Sequence, residues 1–449
     1  MRLTSVAHLD LPPGPVMAYA VEAGPDGEEL PVSFDQRRHV GQGQRPGSWM
    51  AVCLRWPHAL NADDLARAWL AVIARHGTLR TVFSRRQDQI VLHQVDITAG
   101  RWLVHPNTPN TPDTEEAPRA SRDVLREVLD ERCAPFARPS HALLVAGHDT
   151  DQPHVIIGLD HAHTDAWSLL VLARDLGVCV DDVSAGRPPG VMLPAADSFA
   201  QHSAALESMN PAPPDVRLRW SQIIAAGGGV MPTFPLPLGD LSYPVDEVVE
   251  VRDVFDPTEL RRFEQGLRTR GLRMFPAALS VLTHVIGDMS GQPLRAVLPV
   301  HSRHDERWHA SVGWFITNAV IESHDPDPAT CSAAIREAIS LGSYPLAPIM
   351  AAYGGMPASP GMFAVSWLDH RRLPVAIDPD LQAQHVSAVI RTDGVMIWFV
   401  VNDAGMHVRC RYPDTARARE SVGSWLDAVC RGLHRFDTES ADGTPDDQG

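Results

Sequence analysis

Between residues 184 and 240 the chain changes character. The stretches SAGRPPG, NPAPPD, AAGGGVMP and TFPLPLGD are rich in proline and glycine, and little between them is periodic. Proline lacks an amide proton and glycine lacks a Cβ, so such a run interrupts helices and strands and reads as a linker. On either side of it, helical and extended patterns alternate. At 449 residues the chain exceeds what one core ordinarily holds. It is therefore expected to form two halves of mixed α/β (α+β, two-layer) architecture. The expected division is an N-terminal extension over 1–29, a lobe over 30–185, a linker or crossover over 186–240, a second lobe over 241–436 and a disordered acidic tail over 437–449.

The first half carries three helical patterns before the linker. Residues 60–83 begin with Asn61 as an N-cap, acids follow, and Leu65, Trp69, Val72 and Ile73 recur at helical spacing, before TLRTVF turns into a strand. A second helix is expected within 114–136. HALLVAGHD and HVIIGLDH read as a strand pair, and 166–183 as a helix. The second half repeats this alternation. Helices are expected at 257–271 and 275–289, strands in RAVLPVHSR, SVGWFITNAVIES and GMFAVSWLD, a hairpin around Asp403-Ala404-Gly405, and a last helix over 414–434.

Charge and cysteine usage exclude several roles. A net charge of −16 argues against nucleic-acid binding, which needs clustered Lys and Arg. The one basic stretch, residues 260–273, reads as a solvated helix face. No apolar run reaches the roughly 18 residues of a membrane span, and the N-terminus lacks the apolar core of a secretion signal. A cytoplasmic location is expected. Six widely spaced cysteines form neither a zinc motif nor a disulfide framework.

The densest chemistry lies in IIGLDHAHTDAWSLL, residues 156–170, at a strand end just before a helix. Three readings of its polar core stand side by side. His161, His163 and Asp165 form His-x-His-x-Asp, three donors that a catalytic zinc would accept, as in a metal-dependent hydrolase. Alternatively Asp165 caps the following helix and the histidines fill polar gaps. Or His161 works as an acid/base, since a neutral imidazole accepts a proton from an attacking amine or alcohol. In that case Asp165, buried, needs a partner, and Arg80 of TLRTVF is the candidate.

Taken in order, several segments resemble the condensation-domain superfamily, which includes the nonribosomal peptide synthetase condensation domains and the chloramphenicol-acetyltransferase-like, polyketide-associated acyltransferases. PVSFDQRRHV (31–40) is similar to the opening S-x-x-Q-x-R motif, and ARHGTLRTVF (74–83) to R-H-x-x-L-R-T-x-F. CAPFARPSHALLV matches the P-F…P…L-L segment, DHAHTDAWS the H-H-x-x-x-D-G-x-S motif, and PVHSRHDERWHASVGWFITNAV the late R…G-x-F-x-N segment. AVSWLDHRRLP (364–374) is similar to a strand of the acyltransferase branch. The likeness spans about residues 30–435. Two positions depart from it: the first motif histidine is Asp160, and the glycine after the aspartate is Ala166. An acid at 160 could pair with a nearby base, and Ala166 could reshape a substrate tunnel.

The resemblance implies two chloramphenicol-acetyltransferase-like lobes forming a V-shaped pseudo-dimer with the site between them. It implies a free-standing acyltransferase of natural-product, nonribosomal-peptide or lipid biosynthesis. The donor would be an acyl-phosphopantetheine thioester, on an acyl or peptidyl carrier protein or as acyl-CoA. The acceptor would be a small amine or alcohol. His161 would be catalytic; Asp160, Asp165 and Arg80 structural; Ser366, His163, Trp167, Trp314 and Asn318 weaker candidates for an oxyanion or substrate-lining role. No permanent cofactor, metal, nucleic acid or membrane span is implied, and a monomer is expected. The two departures also fit a non-catalytic, condensation-like docking protein.

Overall fold

The computed structural model describes residues 1–107 and 119–438. These fall into two compact units. The first comprises residues 1–208, 301–316 and 373–389; the second comprises 209–300, 317–372 and the chain from 390 onward. Neither unit is one unbroken stretch of sequence, because two later segments join the first.

The first unit is built on a seven-stranded sheet. Its order is Arg2–Ser5, Gln384–Ser387, Trp49–Arg55, His154–Asp160, His141–Ala146, Val16–Val21 and Gly100–His105. The expected strand pair is present: His141–Ala146 runs antiparallel to His154–Asp160, with His141 opposite Leu159. Alternation along a strand separates its two faces. Val155, Ile157 and Leu159 join Trp69, Val72, Leu169 and Leu172 in the core formed with helices Ala62–Arg75 and Ala166–Ser184. Gly158, on the opposite face, lies under Leu129 of helix Ser121–Arg132; a Cβ there would sit 2.3 Å from Leu129 Cδ2. The expected N-cap is also present, since Asn61 Oδ1 accepts from the amides of Asp63 and Asp64. Residues 114–118 of the expected 114–136 helix lie outside the described residues.

A smaller three-stranded sheet, Glu29–Leu30, Gln89–Gln94 and Thr81–Arg86, stands beside the first. Its Phe83, Ile90 and Leu92 pack with Val32, Val40 and Ala162, and this small core seats the histidine turn.

The second unit has its own seven-stranded mixed sheet, in the order Ile316–Ser323, Leu294–His301, Phe363–Asp369, Val395–Asn402, Gly405–Pro413, Val245–Phe255 and Arg391–Thr392. The hairpin is as expected, with Asn402 opposite Gly405 across Asp403-Ala404. Phe363, Val365, Ile397, Phe399 and Trp425 are fully buried in its core with helices Met274–Ser290 and Ala416–Thr438. The segment expected as a linker, 186–240, contains helices Phe199–Glu207 and Pro214–Ala226. The last helix reaches Thr438, two residues into the tail expected over 437–449; the rest of that tail lies outside the described residues.

Candidate active site

The strand His154–Asp160 ends in a 3-10 turn, His161–His163, and helix Ala166–Ser184 begins three residues later. Each junction is capped by an acid. Asp160 Oδ1 accepts from the amide of Ala162 at 2.9 Å. Asp165 Oδ1 accepts from the amide of Ser168 at 2.7 Å, satisfying a helix N-terminus as aspartate does well.

The opening S-x-x-Q motif now has a physical reading. Ser33 caps helix Phe34–Gly41, and Gln36 returns the bond in a capping box. That leaves Gln36 Nε2 to donate to the carbonyl of Ala162 at 2.8 Å, in the middle of the histidine turn. The His161 amide donates to Ser48 at 2.9 Å. The turn is thus held from two sides.

Asp165 has a partner, but it is Arg303 and not Arg80. Arg303 Nη2 lies 3.2 Å from Asp165 Oδ1, and both side chains are buried. Asp165 Oδ2 also accepts from the Phe315 amide at 3.0 Å. Arg303 donates to the carbonyls of Trp308 and Ser311 and to Ser168 Oγ. Its guanidinium lies 3.8 Å from the Phe315 ring centroid. Burial lowers the Arg303 pKa and Asp165 opposes that shift. Arg80 instead closes the turn Gly77–Arg80 and borders a cavity of about 120 Å³ shared with Thr78, Thr81 and Ser198. Its carbonyl accepts from the Val95 amide.

The other expected residues separate into two groups. Trp167 is packed, with its indole N–H donating to the His309 carbonyl at 3.1 Å. His163 is buried against Phe83, ring centroids 5.1 Å apart, and neither ring nitrogen finds a hydrogen-bond partner among the described residues. Trp314 lies over His161 at 4.2 Å between centroids. All of these belong to the first unit. Ser366, on strand Phe363–Asp369, and Asn318, on strand Ile316–Ser323, belong to the second.

His161 is partly exposed. Burial is the first cause that lowers its pKa, to about 4, and His39 lowers it further against the opposing pull of Asp160 and Asp165. Its imidazole is therefore neutral at pH 7 and has a lone pair to offer. Asp160 has found the base that its place in the motif required: His39 Nε2 is 3.2 Å from Oδ2. Burial raises the Asp160 pKa, but the hydrogen bond from His39 and the neighbouring imidazoles outweigh it and hold the carboxyl below its ordinary value. Sequence reading missed His39 and Arg303 as site residues, although both sit inside motif segments it had picked out.

The one carboxylate of His-x-His-x-Asp, Asp165, is engaged by these bonds, and no group of three His, Cys, Asp or Glu gathers to hold a metal among the described residues. The arrangement instead offers a neutral imidazole, covered on one face by an indole and fixed on a capped turn. That suits proton transfer at an acyl centre.

Comparison with known proteins agrees. The condensation-domain family model matches residues 28–339, and the chain belongs to that family. Its fold is the chloramphenicol-acetyltransferase-like fold of condensation domains. Acyltransferase PapA3 of Mycobacterium tuberculosis is 23% identical over 451 residues, covering 95% of this chain and 90% of that one. A dimodular nonribosomal peptide synthase of Bacillus subtilis is 25% identical over 355 residues, 75% of this chain and 14% of that protein. Among solved structures, PapA2 acyl transferase superposes with a TM-score of 0.81 at 20% identity, over 97% of this chain and 100% of that one. The first condensation domain of the calcium-dependent antibiotic synthetase does so at 0.67 and 13% identity, over 93% and 97%. The chain is an acyltransferase of the condensation type. No helix among the described residues is long and apolar enough to cross a membrane.

Proposed function

We propose that this protein moves an acyl group from a pantetheine thioester, on a carrier protein or on coenzyme A, to an amine or hydroxyl in lipid or secondary-metabolite assembly. The observation that carries the reading is the neutral, partly exposed imidazole of His161 on a turn fixed by Gln36, Ser48 and Asp160.

The steps follow from that group. The acceptor's N–H or O–H gives its proton to His161 as nitrogen or oxygen attacks the thioester carbonyl. The carbonyl electrons move onto oxygen to form a tetrahedral oxyanion. Its collapse breaks the C–S bond and expels the pantetheine thiolate, which takes the proton from His161. An amide or ester and a free thiol result. A positioned base of this kind typically contributes about 10²–10⁴-fold in rate. The names of the relatives, an acyltransferase and a nonribosomal peptide synthase, support the same chemistry.

The test is an acyl-transfer assay read by mass spectrometry. Purified protein meets a panel of acyl-pantetheine and acyl-CoA thioesters with mixed amines and alcohols, beside His161→Ala. A new amide or ester that the variant fails to make supports the reading. Equal product from both proteins removes His161 as the base. No product from any donor, carrier-bound donors included, favours a docking role, which the Asp160 and Ala166 departures also fit.

A further inference from the structure

The family motif has a histidine where this chain has Asp160, and the opening motif segment of this chain supplies a histidine of its own, His39. The two meet. His39 Nε2 is 3.2 Å from Asp160 Oδ2. On the other side of the ring, Arg45 Nη2 is 2.8 Å from Nδ1, closer than its 3.2 Å to Nε2. A guanidinium only donates, so Nδ1 accepts, and the ring proton sits on Nε2, from which it is donated to Asp160. Arg45 Nη1 also donates to the His39 carbonyl at 2.9 Å. The ring is therefore held at both nitrogens, and its own backbone is tied to the same arginine.

The clamped ring faces the site. It meets Trp314 edge-on, with centroids 5.3 Å apart and planes at 79°. The same indole tilts over His161 at 4.2 Å and 36°, and the two imidazoles are 5.9 Å apart. An acid/base histidine ordinarily has one ring nitrogen fixed by a hydrogen bond. Here His161 Nδ1 is buried, and the one hydrogen-bonding group that acts on the ring is the residue's own backbone. Among other residues it is ring contact that orients the imidazole.

We propose that His39 is a positioning residue for His161: locked between Asp160 and Arg45, it braces the Trp314 indole against the His161 ring, so that His39 and Asp160 act as one device. Its kinetic consequence rests on the acyl-transfer reading; its geometric consequence does not.

Two readouts test it. The first needs no activity. The His161 Cε1–H resonance, assigned by its loss in His161→Ala, is titrated in wild type, His39→Ala and His39→Gln. The ionisable groups facing that ring are His39, Asp160 and Asp165. Both His39 variants remove one imidazole and the brace, so the His161 midpoint moves up towards its ordinary value and its resonance broadens. A midpoint and line width unchanged from wild type overturn the proposal.

The second readout is kinetic. Small displacements of a reacting group can cost about 10²-fold, so His39→Ala and His39→Gln are expected to lose roughly 10–100-fold in kcat with KM within about twofold. Glutamine can still donate to Asp160, so that variant keeps the buried carboxylate partnered and folds even if His39→Ala does not. His39→Gln/Trp314→Ala is expected to be no slower than Trp314→Ala, because both changes break one chain of contact. Wild-type kcat in His39→Gln, or losses that multiply in the double variant, overturn the proposal. If wild type transfers no acyl group from any donor, the acyl-transfer reading fails while the titration still decides on His39.

Discussion

Arg303 Nη2 lies 3.2 Å from Oδ1 and 3.4 Å from Oδ2 of Asp165, 138 residues earlier in the chain. The carboxylate also takes the amides of Ser168 and Phe315, so both of its oxygens are used. Removing one partner of a buried ion pair leaves the other charge uncompensated and typically costs about 3–5 kcal/mol. Asp165→Ala is expected to lose that much in urea unfolding. Replacing both partners with apolar residues, Asp165→Leu with Arg303→Met, should cost less than the single change. A single variant within about 1 kcal/mol of wild type would show that water reaches the pair.

Acid should destabilise the fold well above the carboxylate range. Burial is the first cause lowering His141, His161, His163 and His202 from 6.5 to about 4. Between those values the unfolded chain binds more protons than the folded one, so stability rises with pH there. The contribution is complete above pH 6.5 and is lost progressively towards pH 4. Urea midpoints measured from pH 7.5 down to 5 should fall steadily; a flat series would mean that these rings stay solvated.

The same shift shapes activity. With a hydroxyl acceptor, which does not itself titrate in this range, kcat/KM should stay level from pH 8 to about 5.5. The acid limb belongs near pH 4, where the free enzyme's His161 takes up its proton. A limb centred near 6.5 would place the working base elsewhere.

Gly313 is required by its neighbour. A Cβ there would lie 2.4 Å from Cγ of Phe199, whose ring packs on Phe315 at 4.9 Å. Gly313 N–H also donates to Ser168 Oγ. Gly313→Ala must push Phe199 or the 312–315 backbone aside, and overpacking of this kind costs about 1–3 kcal/mol. Thermal unfolding measures the loss.

Gln36 does two jobs that can be separated. Gln36→Glu keeps an oxygen for the capping box but cannot donate to the Ala162 carbonyl. Gln36→Leu loses both. Loss of a cap and a buried hydrogen bond together is worth about 1–3 kcal/mol, so the leucine variant should melt below wild type, and the glutamate variant, whose buried carboxylate faces a carbonyl oxygen, should melt lower still. The glutamate variant should still lose acyl transfer, because the carbonyl that steadies the histidine turn goes unpaired.

Much of the fold was legible because its signals are local. The N-cap at Asn61, the strand pair leading to Asp160, the Asp165 cap and the hairpin at Asp403-Ala404 each depend on residues near in sequence. The partners of the buried charges do not. Arg80 and Arg303 both lie in motif segments, and nothing in periodicity says which one reaches Asp165. Asp160 called for a base, but that base stands 121 residues away in His39. Helix Phe199–Glu207 was hidden because its buried positions, Phe199, His202 and Ser203, are mostly polar and show no apolar helical spacing; Phe199 and His202 meet the Phe315 ring, and His202 also Trp308 and Ser302, from much later in the chain. Strand Gln384–Ser387 has only four residues, and its place between Arg2–Ser5 and Trp49–Arg55 is set by pairing alone.

Arg303 and Trp314 follow, in the sequence, three helices of the second unit (Pro214–Ala226, Pro257–Thr269 and Met274–Ser290) and two strands of its sheet (Val245–Phe255 and Leu294–His301). On the ribosome, the histidine turn emerges long before them. Over the 138 residues from Asp165 to Arg303 the nascent first unit holds the aspartate without this counter-ion and the imidazole without this cover. Its pocket is finished only after residue 316 has left the exit tunnel, so catalytic competence arrives late in translation.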